Sequence, residues 1–300
     1  MAPIYRGPSR GPRLTRSVPA RLELPLVDYL QAIALGILQA LTEFLPISSS
    51  AHLRIFPELL GWGDPGAAFT AVIQIGTELA VLAYMGKHIW SIISTWARSL
   101  FNPELRGHTD ARMGWFIIVG SIPIVVMGLL FQNIIEKDLR SLYVVGTMLV
   151  VMGIVLGIAD RVGENRKRFD DLSWRDAILM GCAQACALIP GVSRSGATIS
   201  MGRALGYERA TATEYAFLLA LPAVFGAGLF EMKDIAHEDN LYGWGPTIVA
   251  TIVSFVLGYA VIAWLLKYLS RNTYTPFVIY RVVLGIAVLV LVGVGVLSEW

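Results

Sequence analysis

The charged residues of this chain are bunched, and the gaps between the bunches decide what it can fold into. Uncharged windows cover Ala67–Thr77, Gly114–Phe131, Ser141–Ala159, Gly243–Leu266, and Thr273–Tyr280 with Val282–Ser298. Apolar windows of about 18 to 20 residues are long enough to cross a bilayer as helices. Of the 300 residues only 15% are charged and 55% are hydrophobic, whereas a soluble domain is about a quarter charged. The fold class is therefore an all-α integral membrane protein, with the lipid bilayer as its first partner. With so little exposed surface, the net charge of +2 provides no basic face for nucleic acid.

Residues 1–25 carry Arg6, Arg10, Arg13, Arg16 and Arg21 and no apolar core of a signal peptide. They read as a disordered basic tail. Residues 26–63 are two short apolar arms around a polar tip broken by Pro46, which cannot continue a helix. That pattern suggests a re-entrant hairpin, since irregular backbone at membrane depth must line a cavity or be buried in protein. Spans are expected near 67–84, 114–131 and 142–159, closing a first repeat over 26–160. After a basic loop at 161–176 the pattern returns: a hairpin over 177–209 with Pro190-Gly191 at its tip, then spans near 211–230, 246–266 and 277–297. Three spans per repeat is odd, so the second copy (177–300) should lie inverted relative to the first. Inverted repeats place their sites where two broken segments meet near the midplane.

The basic loops holding Arg98, Arg106 and Arg112, then Arg161, Arg166, Lys167, Arg168 and Arg175, then Lys267 and Arg271 fall on one side, read as cytoplasmic. The acidic stretch Glu231, Asp234, Glu238 and Asp239 falls on the other. This topology places the arginine-rich tail outside, against the charge rule. Cys182 and Cys186 lie four apart in an apolar segment and read as small buried residues rather than a disulfide or metal pair.

Two stretches carry the chemistry: QALTEFLPISSSAHL over Gln39–Leu53 and QACALIPGVSRSGAT over Gln184–Thr198. Each begins three residues after a glycine (Gly36, Gly181), passes a proline and breaks into serines. In the first, Gln39 and Glu43 are stacked one helical turn apart. A carboxylate in a membrane arm must be paired, hydrated or bound to a cation. With Gln39 as a neutral oxygen and substrate phosphates completing the shell, Glu43 could hold a divalent cation, Mg2+ or Ca2+. Ser49 and His52 are spaced for a nucleophile and its base, or His52 activates a water instead, and the sequence does not choose between them. The plainer alternative is that Ser48 or Ser50 caps the next helix and His52 is a satisfied buried residue.

In the second stretch, glycines around Ser193-Arg194-Ser195 permit a tight turn that exposes N–H groups, and a helix beginning there adds its positive dipole end. Arg194 is a planar fork suited to phosphate; the plainer alternative is a structural pair with Glu43, which overlaps with the first since such a pair also holds the empty site together. The candidate phosphate-binding groups are Ser48, Ser50, Ser193, Arg194, Ser195, Gly196 and Thr198. The catalytic candidates are Ser49, His52, Glu43 and Arg194.

The first tip resembles an (E/Q)-x-x-x-E motif followed by Ser-Ser-x-x-His, and the second matches P-G-x-S-R-S-x-x-T in full. Together they resemble the undecaprenyl pyrophosphate phosphatase family of the bacitracin-resistance type, over nearly the whole chain after Pro25 and including Arg281 in FVIYRVVLG. The resemblance implies a hydrolase that removes one phosphate from a C55 polyprenyl pyrophosphate, recycling the lipid carrier of cell-wall synthesis. It implies a multi-pass protein of the bacterial inner membrane with its site on the extracytoplasmic side. By position, Glu43, Ser49, His52, Ser193, Arg194 and Thr198 match motif residues. Gln39 stands where many members have a second glutamate, Ser50 where threonine is commoner and Ala51 where glycine is commoner. Glu78, in the stretch QIGTELAVL, stands where an apolar residue is expected, which leaves it either to touch the cavity or to pair with a buried basic group. The competing reading is a secondary transporter or flippase for a lipid phosphate, which would use Arg194 without a nucleophile. Self-association into a homo-oligomer is compatible with either.

Overall fold

The computed structural model describes residues 25–131, 134–135, 138–236 and 241–299. The expected tail lies outside the described residues apart from Pro25, as do Glu238 and Asp239 of the acidic stretch. No strand forms among the described residues. The helices are α1 (Pro25–Glu43), α2 (Ser49–Leu59), α3 (Gly66–Tyr84), α4 (Gly86–Ser99), α5 (Thr109–Leu130), α6 (Leu142–Val162), α7 (Trp174–Ala185), α8 (Arg194–Ala204), α9 (Arg209–Glu231), α10 (Trp244–Leu269) and α11 (Thr275–Gly293). Six of them, α3, α5, α6, α9, α10 and α11, are long and apolar enough to cross a membrane. The apolar windows do not announce α4. It is an amphipathic helix in the first long loop, with Ile89 and Ile92 buried and Trp90 exposed.

The helices α2, α7 and α8 have 11, 12 and 11 residues, about 17 Å each at 1.5 Å per residue and too short to span a bilayer core of about 30 Å. At 19 residues, α1 is longer than a short arm. It stops at Glu43 ahead of Pro46 because residues preceding a proline are pushed out of the helical region. The arms are seated by glycine. A β-carbon on Gly36 would lie 2.6 Å from the carbonyl oxygen of Ala250 in α10, and one on Gly181 would lie 2.2 Å from that of Gly120 in α5. Small residues of this kind let helix backbones meet in a membrane. Thus α1 packs on α10, and α7 packs on α5.

One face gathers the basic loops: Thr109 Oγ1 donates to Asp170 at 2.8 Å, Arg112 to the Leu172 carbonyl at 2.9 Å, and the Tyr274 N–H to Asp160 at 3.2 Å. Fully buried Arg203 and neighbouring Arg209 both donate to Asp160 there, at 3.0 and 2.7 Å. At the opposite face Arg140 pairs with Asp64 at 2.6 Å, and the Leu142 N–H reaches the Glu299 carbonyl at 3.0 Å. Cys182 and Cys186 are exposed, which corrects the expectation of buried thiols. In a lipid-facing helix the outer surface is itself apolar, so an apolar neighbourhood does not imply burial.

Candidate active site

Proline and serine shape both tips in the same way. Ser48 has φ 74° and Ser193 has φ 72°, left-handed values that are uncommon for a residue with a β-carbon. Each serine caps the next helix: Ser48 Oγ accepts from the Ala51 N–H at 3.4 Å, and Ser193 Oγ from the Gly196 N–H at 3.1 Å. Each also lies 3.2 Å from the hydroxyl two residues on, Ser50 or Ser195. Ser49 and Arg194 are therefore the first residues of α2 and α8, at the positive ends of two helices.

These two residues meet on one carboxylate. Ser49 Oγ donates to Glu43 Oε2 and Arg194 Nη2 donates to Glu43 Oε1, while Arg194 Nη2 also reaches Glu78 Oε1 at 3.2 Å. Glu43 is buried and Arg194 is largely so. Ser195 donates to the carbonyls of Glu43 and Leu45, at 3.2 and 3.3 Å, and so ties the second tip to the first.

Beneath the tips lies Arg281 of α11, fully buried. It donates to the carbonyls of Pro46 at 2.9 Å, Gly191 at 2.8 Å and Val192 at 2.9 Å, with longer contacts to Leu149 and Met148. Where the chain leaves helical form, its carbonyls lose their intrahelical partners, and a guanidinium with five donors replaces them. Gly196 makes the room, since a β-carbon there would lie 2.6 Å from Arg281 Nη1. Gly191, at φ +93°, supplies the turn.

Not every candidate faces the site. His52 is buried; its Nδ1–H donates to the Ser48 carbonyl at 2.7 Å and its Nε2 meets the Tyr280 hydroxyl at 2.8 Å. The expected Ser49–His52 hydrogen bond is absent, because Tyr280 of α11 takes the imidazole and Glu43 takes the serine. Thr198 is buried behind the tip with its hydroxyl unpartnered. Gln39 turns its amide N–H toward Glu43 Oε2 at 2.8 Å, presenting a donor rather than a ligand oxygen. Its own Oε1 is buried without a partner, as is Glu78 Oε2. No group of three or more His, Cys, Asp or Glu side chains suited to a metal exists among the described residues. The orphaned Glu78 oxygen beside Glu43 nevertheless gives two carboxylates from two helices, a donor set that fits a hard divalent cation sharing its shell with phosphate.

Above the tips opens a cavity of about 470 Å³. Glu43, Ser49, Ser50, Ser193 and Arg194 form its polar end, and its walls are apolar side chains such as Ile124, Leu129, Leu188 and Val224. Ala67, Ile135 and Glu231 line it towards the face opposite the basic loops.

Sequence reasoning did not identify Arg281 or Tyr280 as site-forming residues; for Glu78 it left open a cavity contact or a buried basic partner, and the partner is Arg194. An ionisable residue in the middle of an apolar span was the available signal for Arg281 and Glu78. Tyr280 offered none.

Fold and site together define a multi-pass membrane protein with a buried serine–carboxylate–guanidinium centre at the end of an amphipathic cavity. The family model described as bacitracin resistance protein BacA matches residues 32–287. An undecaprenyl-diphosphatase of Nocardioides sp. is 69% identical over 91% of this chain and all of its own length. Proteins named undecaprenyl-diphosphatase 2 from Agrobacterium fabrum and Streptomyces avermitilis are 56% and 53% identical, each over 91% of this chain and 98% and 97% of their own lengths. The chain belongs to the BacA family.

Proposed function

We propose that this protein is an undecaprenyl-diphosphatase that hydrolyses undecaprenyl pyrophosphate to undecaprenyl phosphate and phosphate. One observation carries the reading: Ser49 and Arg194, each at the start of a helix, converge on Glu43 at the polar end of a largely apolar cavity. A diphosphate head fits the polar end and a prenyl tail the walls.

In the mechanism we infer, the head group draws Arg194 from Glu43 onto the phosphate oxygens. The N–H groups at the starts of α2 and α8 join it in spreading the charge, the largest expected catalytic term. Glu43 then accepts the Ser49 proton. Ser49 Oγ bonds to the terminal phosphorus as the bridging P–O bond breaks, and the lipid monophosphate leaves. Water cleaves the phosphoserine to release phosphate, with Glu43 returning the proton to Ser49. His52, hydrogen-bonded on both ring nitrogens, positions the Ser48 carbonyl rather than serving as the base. Ser50 and Ser193, at the cavity's end, are phosphate-binding groups; Ser195, Gly196 and Thr198 shape the tip. A divalent cation held by Glu43 and Glu78 would supply further positive charge for the phosphate oxygens.

The tips and arms support an inverted repeat with two re-entrant hairpins. At an offset of 145 residues Ser48 corresponds to Ser193, Ser50 to Ser195 and Gly36 to Gly181, and the leading arms α1 and α7 each pack on a span of the other half. The grouping of basic loops away from the cavity's lining at Ala67, Ile135 and Glu231 supports a site open to the extracytoplasmic side of the inner membrane.

The test is phosphate release from a polyprenyl pyrophosphate by purified protein in detergent, with acid-quenched peptides searched for phosphoserine at position 49. No release would overturn the function. Release undiminished in Ser49→Ala would overturn the serine mechanism alone.

A further inference from the structure

We propose that Glu78 is the second carboxylate of the active site and that it seats, with Glu43, a divalent cation against the substrate's diphosphate. The inference rests on the phosphatase reading above and concerns a residue outside both tips. Glu78 comes from the middle of α3, a spanning helix, and is only 2% exposed. A carboxylate there needs a compensating partner. Its Oε1 has one, Arg194 at 3.2 Å, but the same Arg194 nitrogen also serves Glu43. Two carboxylates therefore share one guanidinium. Glu78 Oε2 has no partner at all.

The imbalance grows when substrate binds. If Arg194 turns to the diphosphate, Glu43 and Glu78 are left facing an anion in a site screened from water, where like charges repel strongly. A cation between them removes that conflict and converts both carboxylates from obstacles into ligands. The space for it exists: a cavity of about 10 Å³, the size of one water-sized sphere, is lined by Glu43, Glu78, Arg194 and Ser195 together with apolar side chains of α3 and α9 such as Val81 and Phe217. Two protein carboxylates plus substrate phosphates is the usual way Mg2+ is held.

The same geometry explains Gln39. A glutamate at 39 would stack against Glu43 within one helix, whereas glutamine donates to Glu43 at 2.8 Å and leaves the second negative charge to α3. Thr77, next to Glu78, lies 3.5 Å from the same amide nitrogen. Positions 39 and 78 thus approach Glu43 from neighbouring directions, so the carboxylate could be moved from one to the other.

The experiment measures Mn2+ binding to the purified full chain by electron paramagnetic resonance of the free ion, alongside the Mg2+ concentration for half-maximal phosphate release. Glu78→Gln is expected to weaken Mn2+ binding about tenfold or more and to raise the Mg2+ requirement in parallel. The double variant Gln39→Glu/Glu78→Gln, which keeps the charge and moves it, is expected to recover most of that affinity. Size-exclusion profiles matching the wild type identify the variants that remain folded. Wild-type protein that releases phosphate but binds no Mn2+ would overturn the proposal and leave the phosphatase reading standing. So would Glu78→Gln with unchanged Mn2+ affinity and only a raised KM, which would make Glu78 a prop for Arg194.

Discussion

At Ser48 and at Ser193 the backbone turns through the same left-handed conformation, caps a helix with the same hydroxyl and brings a second serine to the same 3.2 Å. The next residue is where the tips part: Ser49 in one, Arg194 in the other. Glu43 ends the first arm, and the apolar Leu188 stands at the matching place in the second. Two alike turns position two helix starts, and in the proposed mechanism the one side chain that differs, Ser49 or Arg194, divides nucleophile from anion cradle. It also exposes what each tip lacks alone: the first has no cation of its own and the second no carboxylate.

The sharpest way to break this division is at Arg194. Arg194→Ala should lower kcat/KM by about 10³-fold or more, since the charge on the transferring phosphoryl loses its fixed partner. Arg194→Lys should recover little, because a point charge cannot reproduce the planar fork. Steady-state phosphate release from polyprenyl pyrophosphate checks both. Activity within tenfold of wild type in Arg194→Ala would mean that the second tip is structural and the first works unaided.

Much of this architecture was legible in the sequence. Five of the six spans coincide with uncharged windows, because lipid leaves no other use for runs such as Gly114–Phe131. The tips follow from proline, glycine and serine, whose backbone preferences are local. The failures lie in which partner or surroundings each side chain takes. Ser49 and His52 are correctly spaced for each other, yet partners 6 residues back (Glu43) and 228 residues on (Tyr280) take them. Arg281 could be flagged as a charge in an apolar run, but that its donors end on two broken tips depends on where α11 packs. Cys182 and Cys186 show the opposite limit, since apolar neighbours cannot distinguish protein interior from lipid.

A second test asks whether the tips hold together as one unit. Arg281 is the part they share, donating to Pro46 in one and to Gly191 and Val192 in the other. Arg281→Met keeps much of the side chain's apolar length but strands buried carbonyls. It should cost on the order of 3 kcal/mol and lower the unfolding midpoint in detergent. Independent tips would instead show a loss of activity with an unchanged midpoint.

Next in size are the glycines that seat the arms. Gly36→Ala and Gly181→Ala each force a methyl against a carbonyl oxygen, at 2.6 and 2.2 Å respectively. Overpacking of this kind costs about 1–3 kcal/mol, and the tighter contact at Gly181 predicts the larger fall in thermal midpoint. The reverse order would show that the first arm, not the second, is the more rigidly held.

The smallest predicted effect separates the arms by pH. Each begins with a buried acceptor held by a tyrosine: Gln31 accepts from Tyr242 at 3.0 Å, and Asp176 from Tyr207 at 2.7 Å. Only the second can titrate. Burial pushes Asp176 upward, but hydrogen bonds from Tyr207, Lys167 and Ser173 and the Lys167 charge outweigh it and hold the carboxyl below its ordinary 3.8. A depressed folded value means this stabilisation is complete above about 3.8 and is lost as pH falls through the lower, folded value. Burial and the bond to Asp176 hold Tyr207 above its ordinary 10.0, so its share persists until pH rises past that. Tyr207→Phe should therefore cost about 1 kcal/mol near neutrality and move the acid-side fall in midpoint to higher pH. Tyr242→Phe should cost a similar amount at every pH between 4 and 9, because a glutamine takes no part in the titration. Thermal melts of both variants across that range and below it measure the difference, and parallel curves would mean that Asp176 anchors the second arm no differently from Gln31 in the first.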